Sequence, residues 1–246
     1  MVASRQTVVW LSWALVVLAV VSGVVLLILA SGVLLTPIDI PDFVDRLFEI
    51  RRDQERLIPL VILGGVASLG VFLTLALLGV VLRAWAPTTP GRDLMSVLLV
   101  LGGVIGIASQ LVHMGIHDAG RALICDCGYR VEEVIALDNA LFVGESIFGW
   151  LLMGALSLVA MGVAVAGRMV AVSGRWRTLS LVIALGLLVA VALRFVAALV
   201  LIEAFDPLQV ADIIVGVFLA ILAPAWAILL LRGIEEPAEV PAPDFG

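Results

Sequence analysis

The stretch Leu94-Met-Ser-Val-Leu-Leu-Val-Leu-Gly-Gly-Val-Ile-Gly-Ile-Ala-Ser-Gln-Leu-Val-His-Met-Gly-Ile116 decides the fold. It carries no Asp, Glu, Lys or Arg. It is also longer than the roughly 20 residues that a helix rising about 1.5 Å per residue needs to cross a hydrocarbon layer. Its apolar residues run on without a break, whereas a barrel strand would alternate polar and apolar over about ten positions. In lipid the backbone must satisfy its hydrogen bonds within its own segment, so the stretch reads as a transmembrane helix.

Working outward, five more runs meet the same test: Val8 to Leu35, Leu57 to Leu82, Ala136 to Ala166, Leu179 to Ile202 and Val210 to Leu231. The expected fold is therefore all-α, a polytopic membrane protein built as a six-transmembrane-helix bundle in one domain over residues 1–234. Gly23, Gly64, Gly65, Gly102, Gly106 and Gly154 fall inside these helices, where small residues let neighbours approach closely. The first run follows a single charge, Arg5, as in a secretion signal, but it exceeds the roughly 7 to 15 apolar residues of a signal core. An uncleaved anchor helix is expected.

The connections differ in character. Between Thr36 and Arg56, Phe43, Leu47 and Ile50 recur at helical spacing, which predicts a short amphipathic helix on the membrane surface in the first outer loop. Trp85 to Arg92 contains Pro87, Pro90 and Gly91 and reads as a turn. Residues 235–246, rich in Pro and Glu, read as a disordered acidic tail.

Composition agrees with a lipid environment. Of 246 residues 63% are hydrophobic and 14% charged, where a soluble domain keeps about a quarter charged. The balance is acidic, -6 at pH 7, with no basic stripe, which argues against nucleic acid as a partner. Lysine is absent, which excludes a Schiff-base cofactor such as retinal or pyridoxal phosphate. No GxxxxGK[ST], GxSxG or strand-borne GxGxxG motif occurs. Nothing in the sequence names a cofactor.

Arginine placement gives orientation. The segment Arg168 to Arg177 holds three arginines and no acid, so it is assigned to the inside, with both termini cytoplasmic in the cell membrane. The tryptophans, Trp10, Trp13, Trp85, Trp150, Trp176 and Trp226, mostly mark helix ends and read as interfacial anchors.

Charges within lipid are costly, so each is a functional candidate or half of a pair. Glu145 and Arg194 lie at matching depth, roughly 12 to 14 Å in from the outer ends of neighbouring antiparallel helices, and are expected to pair. Gln110, His113 and His117 share one face of the third helix near the same end. Asp138 opens the fourth helix, and Asp212 lies where the fifth meets the sixth. This one-sided polarity predicts an outward-facing polar cavity lined by Glu145, Arg194, Gln110, His113, Asp138 and Asp212. Interhelical hydrogen bonds that fix the bundle are the plainer alternative.

His113 and His117 also form an HxxxH pair that could share a zinc or copper ion with Asp118 or Asp138, close to Cys125 and Cys127. Met114 stands where a zinc protease carries its glutamate base. Two histidines one turn apart cannot ligate a haem from opposite sides.

The segment Gly144-Glu-Ser-Ile-Phe-Gly-Trp150, with Gly167 to Arg177 and the start of the fifth helix, resembles a broad group of uncharacterised bacterial six-helix membrane proteins. Trp176 stands where that group often has proline. The resemblance implies topology only. Three functions stay open: a non-enzymatic small-ligand binding or transport-related component, a structural or accessory subunit held by a partner membrane protein, and a metal or thiol redox enzyme using His113, His117, Cys125 and Cys127. The first is preferred because the buried charges are the least ordinary feature of the chain.

Overall fold

A computed structural model describes residues 5–31, 43–120, 131–170, 172–199 and 207–235. Cys125, Cys127 and the tail after residue 235 lie outside these residues, as does any side-chain detail for 43–56. The described chain forms α1 (Arg5–Ala30), α2 (Phe43–Arg83), α3 (Pro90–Gly120), α4 (Val131–Met169), α5 (Gly174–Leu199), α6 (Pro207–Val217), a π-helical turn (Phe218–Leu222) and α7 (Ala223–Glu235). Among the described residues six helices are long and apolar enough to span a membrane, the last of them running from α6 through the π turn into α7. The segment from Phe43 to Ile50 is helical, but it runs without a break into α2 instead of standing as a separate helix.

Local chemistry sets the helix ends. Pro90 opens α3, where a missing N–H costs nothing, and Asp93 in the first turn meets the positive end of the helix dipole. Asp93 also accepts from Arg83 Nε at 2.8 Å, which ties the end of α2 to the start of α3. At α5 the Ser173 hydroxyl accepts the Trp176 N–H at 3.2 Å and caps the helix. In the sixth span Pro224 has no N–H to return to the preceding turn; there the helix widens, and the Ala223 N–H reaches the Phe218 carbonyl one residue further back than in an α-helix.

The spans pack in chain order, α1 on α2, α2 on α3, α3 on α4, α4 on α5 and α5 on α6, and the sixth span packs back on α1 to close a ring. Two close approaches need glycine. A Cβ on Gly23 would stand 2.3 Å from the Ala220 backbone nitrogen and 2.7 Å from the Gly216 carbonyl, so α1 and the sixth span touch backbone to backbone. A Cβ on Gly103 would stand 2.6 Å from the Phe72 carbonyl, bringing α2 and α3 together in the same way. Gly64, Gly65, Gly102 and Gly106 likewise face neighbouring helices, but a Cβ on Gly154 would meet nothing within 4 Å, so packing does not account for that glycine.

The half of the ring nearest the termini is filled. Trp176 and Trp226 stack with centroids 5.1 Å apart, and Leu82, Met95 and Leu99 are wholly buried in the same core. The Trp226 indole donates to Ser180 Oγ at 2.8 Å, and that hydroxyl donates to the Trp176 carbonyl at 2.9 Å. These two tryptophans are therefore not interfacial anchors: both rings are buried, the Ser180 hydroxyl supplies Trp226 with the polar partner that lipid headgroups supply elsewhere, and the Trp176 indole N–H has no hydrogen-bond partner among the described residues. Trp10, Trp13 and Trp150 do face outward from the bundle.

Candidate polar cavity

At the end of the ring away from the termini the described residues leave the axis unfilled. A cavity of about 350 Å³ is lined by residues from all six spans. α1 and α2 contribute Val25, Leu26, Leu29 and Val61 together with Ser22 and Ser68, α4 contributes Phe148, Leu152, Leu156 and Val159, and the sixth span contributes Val215, Phe218 and Leu219. Against this apolar wall stand Gln110, His113 and His117 of α3, Arg194 of α5 and Asp212 of α6. The three α3 residues reach the cavity together because positions three and four apart share a helix face.

The polar groups are held in defined pairs. Arg194 Nη2 donates to Asp212 Oδ1, joining α5 to α6. Ser22 and Ser68 share a hydrogen bond of 2.6 Å between their hydroxyls, joining α1 to α2. The His113 ring stacks on Phe148 at 4.4 Å, joining α3 to α4, and its edge meets His117 at 4.6 Å. Arg194 Nε is buried with no hydrogen-bond partner among the described residues, an arrangement that costs free energy.

Four of the six residues expected to line the cavity do so: Gln110, His113, Arg194 and Asp212. Asp138 and Glu145 do not line it, and Glu145 is exposed on the surface of α4 beside Phe142 and Val143. The carboxylate bonded to Arg194 is that of Asp212, not the expected Glu145. Depth along the helix fixes the height of a residue but not its direction about the axis, and α5 has a neighbour on each side. Phe148, Ser22 and Ser68 were not singled out from sequence, since a phenylalanine or serine inside an apolar run reads as ordinary packing.

Among the described residues no three His, Cys, Asp or Glu side chains come together as metal ligands, and Cys125 and Cys127, expected close to His113, His117 and Asp118, lie outside those residues. The histidine rings are engaged edge to face with one another, and Asp118 is exposed. No protein-family model, curated protein or solved structure matches this chain.

Proposed function

We propose that this chain binds a small molecule within the membrane, as a ligand-binding or transport-related component whose cavity opens to the outside of the cell while both termini face the cytoplasm. The observation that carries the reading is the convergence of Gln110, His113, His117 and the Arg194–Asp212 pair, from three helices, on one cavity whose remaining wall is hydrocarbon apart from the Ser22 and Ser68 hydroxyls. Ligand sites have this composition: an apolar lining that supplies contact, and a few polar groups that fix orientation. A volume of about 350 Å³ also falls within the range such sites occupy. The outward assignment rests on Arg168, Arg175 and Arg177, which lie at the opposite end of the bundle.

Native mass spectrometry of the chain released from lipid discs tests the binding. Wild type should retain a stoichiometric small molecule, and Val61→Trp, which fills the cavity from α2, should lose it. A spectrum free of ligand, or a ligand held equally by both proteins, would overturn the proposal. Orientation has its own test. In a background of Cys125→Ser and Cys127→Ser, Gln110→Cys should react with a membrane-impermeant thiol reagent added outside intact cells, and reaction only after the cells are opened would reverse the assignment.

A further inference from the structure

Among the described residues that line the cavity, the charges cancel. Arg194 and Asp212 are bonded to each other, and the remaining polar lining, Ser22, Ser68, Gln110 and the two histidines counted as neutral, consists of uncharged hydrogen-bonding groups. A ligand bearing a net charge would bring an unpaired charge into this wall or compete for one partner of the existing pair, and either is costly at low dielectric. An uncharged group that both donates and accepts hydrogen bonds meets no such penalty.

The polar groups also occupy only part of the wall's length. On α4 the lining runs from Phe148, stacked on His113, through Leu152 and Leu156 to Val159. That is roughly 16 Å at about 1.5 Å per residue, close to half of a hydrocarbon layer about 30 Å thick. From Leu152 inward the α4 lining is hydrocarbon, and Phe72, Leu75, Phe218 and Leu219 belong to the same inner part. A volume of about 350 Å³ is at the small end for ligand sites, which admits one chain or a small ring system but not a two-chain phospholipid.

We infer that the cavity takes an uncharged, single-chain amphiphile, its hydroxyl- or carbonyl-bearing head at Gln110, His113 and the Arg194–Asp212 pair and its chain directed toward the bundle centre. This rests on the cavity being a ligand site, as proposed above.

The test uses the full chain in lipid discs and three diazirine-tailed probes of equal chain length: a monoacylglycerol, a fatty acid and an alkylamine. Photolabelling is mapped by peptide mass spectrometry, with the matching unlabelled lipid as competitor and Val61→Trp as the control for labelling from the surrounding bilayer. The monoacylglycerol probe should label Leu152–Val159 of α4 competitively, at least about tenfold more than either charged probe, since each factor of ten needs only about 1.4 kcal/mol of discrimination. Gln110→Leu should weaken that labelling several-fold while Val61→Trp abolishes it. Preferential competed labelling by the fatty acid or the alkylamine would overturn the inference of a neutral head and leave the cavity proposal standing. If no probe gives labelling that is both competed and lost in Val61→Trp, the inference and the ligand-site proposal fall together.

Discussion

The two halves of the ring solve the same packing problem in opposite ways. Six helices in a ring leave an axis that must be filled or left open. Near the termini the axis is closed by the stacked indoles of Trp176 and Trp226 with Leu82, Met95 and Leu99 around them. At the other end Gly64, Gly65, Ser22 and Ser68 keep α1 and α2 small, and the polar side chains of α3, α5 and α6 border a cavity. Both halves hold a buried donor with no partner among the described residues, the Trp176 indole N–H in the closed half and Arg194 Nε beside the cavity, so the difference between them lies in packing. Fixed polar groups beside unfilled space stabilise a bundle less than a packed core does, so the contrast locates where the chain gives up packing.

The largest break in that contrast should come from opening the closed half. Trp226→Ala removes a buried ring from the stack and leaves Ser180 without its indole donor. A loss of about 3–5 kcal/mol is expected, as for other buried aromatics, and unfolding in mild detergent should show it as a large fall in midpoint. A change no greater than that of a lipid-facing control such as Trp10→Ala would mean that the stack is not the core of the bundle.

Next in size is the ion pair. Asp212→Leu alone strands a guanidinium that is 13% exposed, and removing one partner of a buried pair costs about 3 kcal/mol or somewhat more. Arg194→Leu combined with Asp212→Leu should recover much of that loss, because two apolar side chains leave no charge behind. Strictly additive losses across the cycle would show that the two residues do not pair. The same cycle on Glu145 and Arg194 should show little coupling.

The ring's helices were legible in the sequence because the requirement that sets them, about 20 apolar residues with an internally bonded backbone, is a property of one segment at a time. The end of the bundle that carries polarity was legible for the same reason: Gln110, His113, Arg194 and Asp212 are placed by their distance from a helix end. Direction about the helix axis is set by neighbours, and on that point the expectation failed. Glu145 turned outward, Asp212 took Arg194, and Trp176 and Trp226 turned inward although they sit near helix ends. Gly154 shows the same limit, being small where nothing approaches it.

A matched pair of leucines sharpens the comparison further. Leu99 is wholly buried in the closed half, with a Cβ on either Gly79 or Gly162 falling within 3 Å of it, and Leu156 is nearly as buried but lines the cavity. Leu99→Ala creates a new void among helices held close and should cost about 2–5 kcal/mol. Leu156→Ala only enlarges space that already exists, so the void term is largely absent and about half that cost is expected. Equal losses at the two sites would mean that the cavity wall is as tightly packed as the core.

The smallest effect belongs to the Ser22–Ser68 hydrogen bond. Interhelical hydrogen bonds in membranes are worth only about 0.6 kcal/mol on average, because the separated helices find other partners. Ser22→Ala with Ser68→Ala should therefore leave the unfolding midpoint almost unchanged. If the pair serves the cavity and not the fold, the double variant should still lower occupancy of the bound molecule in native mass spectra, since both hydroxyls line it. Lost stability with unchanged occupancy would make the serines part of the bundle's cohesion and remove them from the site.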